Sequence, residues 1–221
     1  MKFDKDGFIE FLARNSDVFK SDTIASGRKS SWYFDSGRIT NDVFLMNRLV
    51  GYIMDYVADE GLNPSAFVGV PEGATKLGIV LQDRWAKRAE NYGLGSHVLP
   101  MMRVLEKKHG RPEDRVFIGT PPNGTIVVED VTTTGTSLIG RVNSILKKGI
   151  TDIGALVLLD RNHKDTDIRG RLKKLGVPFY IMTIAQEFLP AAYRIQKPRE
   201  EVARAVEEEM RKYGAGEIKL L

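Results

Sequence analysis

Thr125-Ile126-Val127-Val128-Glu129-Asp130-Val131-Thr132-Thr133-Thr134-Gly135-Thr136-Ser137-Leu138 is the stretch that decides the fold. Four β-favouring residues run into two adjacent acids. Four threonines and a serine then surround one glycine, and a segment of helical period opens at Leu138, with Val142, Ile145 and Leu146 on one face. A strand that turns into a helix in this way offers unpaired N–H groups at the positive end of the helix dipole. Such an end binds anions, and the hydroxyls add donors for phosphate oxygens. Gly135 lets the backbone close around the anion. Glu129 and Asp130 would repel a phosphate and instead suit sugar hydroxyls, as the acid of a dinucleotide site does. Capping a helix takes only one Thr or Ser. Two acids with five hydroxyl side chains describe a ribose 5-phosphate socket. Two better-known phosphate motifs fail: Gly135 and Gly140 have P-loop spacing, but Arg141-Val142 stands where Lys and Ser or Thr are required, and Gly93-Leu94-Gly95 meets Val98 where a third glycine is needed.

Outward from this stretch, short β-rich runs at residues 66–70, 97–102, 125–128, 153–160 and 179–183 alternate with helical segments at 74–89 and 137–148. The alternation predicts an α/β fold, a parallel sheet with helices on both faces, whose ligands bind beyond the carboxyl ends of the strands. Ahead of it lie a helix near residues 8–13, extended pieces at 23–24 and 32–34, and an amphipathic helix over 42–59 carrying Val43, Met46, Val50, Ile53 and Val57. Behind Pro198, Val202, Val206, Met210 and Tyr213 recur at helical spacing and predict a packing helix over 199–213.

Composition narrows the class. The chain has 221 residues, 42% hydrophobic and 28% charged, which suits one soluble globular domain. No stretch approaches the roughly 18 apolar residues of a membrane helix. The acidic start is not that of a signal peptide, and there is no cysteine, so a cytoplasmic protein without disulfides is expected. The net charge of +4 is spread over scattered basic pairs, which argues against nucleic-acid or membrane partners. The three histidines are far apart and form no zinc-binding pair.

The segment from Glu129 to Ser137 resembles the phosphoribosyl-pyrophosphate (PRPP) motif of the type I phosphoribosyltransferases. Three further stretches draw the resemblance toward the orotate phosphoribosyltransferase branch. Residues 25–37, ASGRKSSWYFDSG, are similar to its N-terminal hood; residues 103–110, RVLEKKHG, to its mobile catalytic loop; and Leu159-Asp160-Arg161 to the strand end where an arginine faces the base.

The resemblance implies a type I phosphoribosyltransferase-like sheet with a small hood, divided into residues 1–40 (N-terminal helix and hood), 41–190 (core) and 191–221 (C-terminal helix). It implies Mg²⁺-dependent transfer of 5-phosphoribosyl from PRPP to orotate, giving orotidine 5′-phosphate and pyrophosphate in pyrimidine biosynthesis. In that reading Thr132, Thr133, Thr134, Gly135, Thr136 and Ser137 hold the 5-phosphate. Glu129 and Asp130 hold the ribose hydroxyls, and Asp130 also steadies the cationic sugar. Arg161, with Thr133, faces the orotate carboxylate, and Phe34, with Tyr33 as second choice, covers the ring. Gly73 belongs to the pyrophosphate loop, and magnesium is carried mainly by PRPP. Arg103, Lys107 and His109 close over pyrophosphate, the 103–114 loop reaching the partner's site in a homodimer. Read physically, that loop is basic and poor in packing residues, as suits a lid over a departing anion. One departure stands out: Val104 and Leu105 occupy positions where the family usually carries a second lysine, so one pyrophosphate contact is either missing or supplied elsewhere, by Lys108 for instance. Two alternatives stay open, a phosphoribosyltransferase for another nucleobase and a non-catalytic PRPP-sensing regulator.

Overall fold

A computed structural model of the chain describes residues 2–20, 22–23, 29–105, 108–109 and 115–221. Helix α1 (Lys5–Asn15) starts at Asp4, whose carboxylate accepts the Gly7 N–H at 2.9 Å. Strands β1 (Asp22–Thr23) and β2 (Lys29–Ser30) pair antiparallel, and the single turn α2 (Gly37–Thr40) follows. Asp42 caps α3 (Val43–Asp59) through the Leu45 N–H at 2.8 Å. The alternating region then runs β3 (Ala66–Gly69), α4 (Thr75–Ala86), β4 (Met101–Met102), β5 (Phe117–Ile118), β6 (Thr125–Thr132), α5 (Thr136–Leu146), β7 (Ile153–Asp160), α6 (Ile168–Lys174) and β8 (Phe179–Ile184), closed by α7 (Ala185–Gln196) and α8 (Glu200–Tyr213). Among the described residues no helix is long and apolar enough to cross a membrane.

Strands β3, β6, β7 and β8 lie in that order, all parallel, with Ala66 beside Thr125, Thr125 beside Ile153 and Ala155 beside Phe179. All eight residues of β7 are buried, because both faces of the sheet are covered. Leu156 and Leu158 join Phe67, Ile126 and Val128 in a core with α1, α3, α7 and α8. Ala155 and Val157 join Val68 and Val127 in a second core with Leu138 and Val142 of α5 and Leu172 of α6. At the free edge, β8 is closed by side chains: Arg169 Nη1 donates to the Phe179 carbonyl at 3.2 Å and the Tyr56 hydroxyl to that of Ile181 at 3.4 Å. Burial beside Glu60 pushes the Tyr56 hydroxyl up to about 12.

The expected strand at 97–102 shrinks to β4, which leaves the parallel sheet and pairs antiparallel with β5, Met101 beside Ile118. Pro100 brings no N–H to a ladder, Gln82 Nε2 takes the Val98 carbonyl at 2.8 Å, and Val98 and Leu99 stay exposed. The 103–114 loop therefore falls between two short antiparallel strands in the chain, and its residues 106–107 and 110–114 lie outside the described residues. Residues 32–34 are held by a Tyr33 N–H bond to the Val18 carbonyl at 2.9 Å rather than as a strand. Helices α6 and α7 have no counterpart in the expectations, and the expected boundary at 190–191 falls within α7.

Candidate active site

The carboxyl ends of the sheet meet the hood around a cavity of about 570 Å³. Glu129, Asp130, Thr132, Thr133, Thr134, Gly135, Thr136 and Ser137 line it, together with Gly73 from the turn after β3, Tyr33 and Phe34 from the hood, and Arg161 from the end of β7. The two acids lie within β6, which runs four residues further than its apolar run predicts. Register explains the extension: Glu129 sits beside Val157, and Thr132 beside Asp160, so the strand stays paired to its end.

Asp130 is held from three sides. Its Oδ1 accepts the Val131 N–H at 2.9 Å and its Oδ2 the Ser36 hydroxyl at 3.2 Å. Gly73 passes so close that an added Cβ would stand 2.9 Å from both carboxylate oxygens. Burial pushes the Glu129 carboxyl up to about 9, with the neighbouring Asp130 charge adding to the shift and Arg141 opposing it. Burial also raises Asp130, against the bonds from Val131 and Ser36. At neutral pH the free protein therefore keeps a proton on this pair.

The anion socket is built by one left-handed residue. Gly135 adopts φ +68° at the cap of α5, and a Cβ there would meet the Ile168 side chain at 2.9 Å. The Ile139 N–H bonds the Gly135 carbonyl at 2.9 Å, so the N–H groups of Thr136, Ser137 and Leu138 precede the first helical bond. The hydroxyls of Thr134 and Thr136 are 2.9 Å apart, and Arg171 Nη1 pins the Thr134 carbonyl at 3.1 Å. Thr132 differs from its neighbours: it is buried and gives its hydroxyl to Asp160 Oδ1 at 3.2 Å. Burial raises Asp160 as well.

At the other end, Arg161 is 2% exposed. Its guanidinium lies 3.7 Å from the centre of the Trp32 ring. Its Nη1 donates to the Trp32 carbonyl at 3.2 Å and its Nη2 to the Ser30 hydroxyl at 2.6 Å, with Glu209 Oε1 of α8 at 3.3 Å. Of the two hood rings, Phe34 is 3% exposed and packs edge-on against Phe188 at 5.6 Å, whereas Tyr33 keeps 37% of its surface. Tyr33 thus carries the more open ring.

Among the described residues, the loop cations Arg103, Lys108 and His109 do not line this cavity. Arg103 lines a separate hollow with Glu72 and Lys76, Lys108 and His109 are exposed, and Lys107 lies outside the described residues. Arg141 of α5 grips the base of the loop, Nη1 to the Arg103 carbonyl at 3.3 Å and Nη2 to that of Val104 at 2.8 Å. Ser36, Arg141 and Glu209 are the functional candidates that sequence reasoning passed over. Ser36 sat in the hood stretch without a role, Arg141 served only to exclude a P-loop, and the one signal for Glu209 is an acid at helical spacing from Val202, Val206 and Tyr213 on an apolar face. His97 and His163 keep to packing roles: His97 stacks on Tyr92 at 6.3 Å and His163 on Tyr213 at 6.4 Å.

No family model matches the chain. Over 191 residues it is 30% identical to the orotate phosphoribosyltransferase of Bradyrhizobium diazoefficiens, a match that spans 83% of this chain and 95% of that protein. The chain belongs to the orotate phosphoribosyltransferase family. The orotate phosphoribosyltransferase of Aeropyrum pernix is 28% identical over 163 residues, 73% of this chain and 81% of the relative. In fold, the chain matches the crystal structure of orotate phosphoribosyltransferase from Francisella tularensis with a TM-score of 0.64 at 21% identity, covering 95% of this chain and 100% of that one. It also matches the Mycobacterium tuberculosis enzyme in complex with PRPP, with a TM-score of 0.57 at 22% identity, over 84% of this chain and 98% of that one. The parallel α/β sheet expected from the alternating strands and helices, and the phosphoribosyltransferase-like fold that the resemblance implies, are the ones observed.

Proposed function

We propose that this phosphoribosyltransferase moves the 5-phosphoribosyl group of PRPP to N1 of orotate, yielding orotidine 5′-phosphate and pyrophosphate for pyrimidine synthesis. The observation that carries the reading is a single cavity that joins the Glu129–Asp130 pair, the amino end of α5 and the Arg161 end of the hood. The relatives' names give the same activity for those proteins.

The chemistry follows from the arrangement. The N–H groups and hydroxyls of the α5 entrance suit the dianionic 5-phosphate, with Thr133, Thr134, Thr136 and Ser137 as the side-chain donors. Asp130, oriented by Ser36 and the Val131 N–H, takes the ribose hydroxyls and faces positive charge that develops on the sugar as pyrophosphate departs. Glu129 shares this task, donating a hydrogen bond to a ribose hydroxyl while it is protonated and accepting one once it is ionised. Arg161 supplies the cation for an acidic pyrimidine, and Tyr33 the open ring over it. Arg103, Lys107, Lys108 and His109 act as lid cations over pyrophosphate, delivered to the neighbouring subunit's cavity in a homodimer. This role is supported by Arg103, which lines a hollow apart from the cavity, and by the exposure of Lys108 and His109.

Mg²⁺ fits the donors present. Among the described residues no three acidic, histidine or cysteine side chains converge, and Asp130 and Glu129 are the hard oxygens that line the cavity, a set suited to an ion carried on substrate phosphates. When bound, it neutralises charge on pyrophosphate. The absence of cysteine supports a cytoplasmic setting. The test is loss of orotate absorbance with PRPP and Mg²⁺, beside parallel assays with uracil, adenine and hypoxanthine. Turnover of orotate alone, lost in Lys107→Ala, is the expected outcome; turnover of another base, or PRPP binding without turnover of any, overturns the reading.

A further inference from the structure

Glu209 has no assigned task, yet it is among the most heavily engaged side chains near the base end of the cavity. It lies on α8 between Val206 and Met210, both buried, and is itself 8% exposed, while its neighbour Glu208 pairs with Arg211 on the surface. Its carboxylate accepts the Ser30 hydroxyl at 2.7 Å and the Ser31 N–H at 2.5 Å on Oε1 and Oε2 respectively, and Arg161 Nη2 stands 3.3 Å from Oε1. Ser30 and Ser31 belong to the hood strip that ends in Trp32, the ring that lies against the Arg161 guanidinium. One carboxylate from the last helix thus fastens two parts of the base-binding end: the hood strip and the arginine from the end of β7.

Packing alone does not explain this placement. An ion pair taken out of water is costly to desolvate, and apolar residues of similar volume serve a core as well or better. What a buried, fully bonded carboxylate adds is direction. The guanidinium is a rigid planar fork, and fixing two of its sides against Trp32, Ser30 and Glu209 decides which edge is turned toward the cavity that Arg161 lines. The bonds of Glu209 to Ser30, Ser31 and Arg161 lie at the base end of the cavity, so removing the carboxylate is expected to act there first.

We propose that Glu209 is a positioning residue for base recognition: from α8 it orients Arg161 and holds the Ser30–Trp32 strip of the hood over the base end of the cavity. The proposal rests on the orotate-transfer reading for its kinetic consequence, and on the structure alone for its effect on the hood.

The experiment uses the full chain with Trp85→Phe, which leaves Trp32 as the sole tryptophan. Into this background go Glu209→Gln, which keeps the shape and removes the charge, and Ser30→Ala, which removes the bridging hydroxyl and leaves both charges. Losing a hydrogen bond to a charged group is expected to raise KM for orotate about tenfold or more in Glu209→Gln, with KM for PRPP held within about twofold. Acrylamide quenching of Trp32 is expected to increase in step, and Ser30→Ala to move both readouts the same way by a smaller factor. An orotate KM that does not move, with Trp32 still shielded, overturns the proposal. So does a fall in kcat and both affinities that merely tracks a loss of folded protein, which would make Glu209 a stability residue. If Glu209→Gln does not fold, Ser30→Ala decides by the same two readouts. If wild-type protein turns over no orotate, the transfer reading fails separately and Trp32 quenching alone judges the hood: unchanged quenching in Glu209→Gln sinks the positioning role, and increased quenching sustains it.

Discussion

Replacing Glu129 by glutamine is expected to flatten the pH dependence of stability in the ligand-free protein. The Glu129 carboxyl is buried beside Asp130 and is pushed up from 4.5 to about 9. Between those two values the folded chain holds a proton that the unfolded chain has shed. Stability therefore falls as pH rises, fully present below 4.5 and lost on passing about 9. One such proton gives a slope of about −1.4 kcal/mol per pH unit, so wild-type protein loses on the order of 3 kcal/mol between pH 6 and pH 8. For a chain of this size that corresponds to roughly 8 °C in Tm. Asp130, also raised by burial, contributes with the same sign. Glu129→Gln carries the same shape without a titrating group and loses that slope. The assay is urea unfolding at pH 6, 7 and 8, followed by circular dichroism without PRPP or Mg²⁺, with Cm and m fitted for both proteins. Parallel pH profiles for wild type and variant would refute the reasoning, because they would mean that Glu129 is already ionised in the folded state.

Three further outcomes follow from the site geometry. Gly135→Ala forces a Cβ onto a residue at φ +68° and against Ile168; it is expected to cost about 1–2 kcal/mol in stability and to weaken ribose 5-phosphate binding, read by thermal unfolding and calorimetry. Gly73→Ala places its methyl against both oxygens of Asp130 and is expected to lower kcat/KM by about a hundredfold through misplacement of that carboxylate, with Tm nearly unchanged; equal losses in Tm and activity would argue against it. Arg141→Ala frees the carbonyls of Arg103 and Val104 at the base of the loop. It is expected to lower kcat tenfold or so while ribose 5-phosphate still binds with near wild-type affinity, and unchanged kcat would show that the loop needs no such anchor.

The parts of the molecule that were legible in the sequence are those whose signals are local. Residues 153–159 read as an unbroken apolar run because both faces of β7 are covered, and the turn from β6 into α5 announced itself by hydroxyls and a glycine within one span of chain. The strand at 97–102 was misread for a related reason: Val98, Leu99, Met101 and Met102 have strand-like side chains, and periodicity does not register that Pro100 withholds an N–H or that Val98 and Leu99 stay exposed while Met102 is buried. Pro190 hid α7 in the same way, since a proline inside a helical pattern normally argues for a boundary.

What the sequence hid is the coupling between distant segments. Glu209 meets Arg161 across 48 positions and Ser30 across 179. Helical spacing puts Glu209 on the apolar face with Val202 and Val206, apart from Glu207 and Glu208, but it does not name these partners. Arg141 likewise reads as a surface residue of α5 until the β4–β5 arm folds back beside it. The division has a physical cause. Phosphate recognition uses backbone N–H groups that a strand–turn–helix presents by itself, so one continuous stretch suffices. Base recognition and lid placement join side chains and carbonyls from separate elements, Arg161 from β7, Trp32 from the hood, Glu209 from α8 and Arg141 from α5, and exist only after the chain has folded. Differences in base preference among proteins with this sheet are therefore expected to lie in such long-range contacts. Exchanging the residues of the Thr134–Ser137 turn should alter PRPP affinity without changing which base is used, whereas exchanging residues 30, 32, 161 and 209 together should change the base. A swap of the turn alone that altered base preference would overturn this separation.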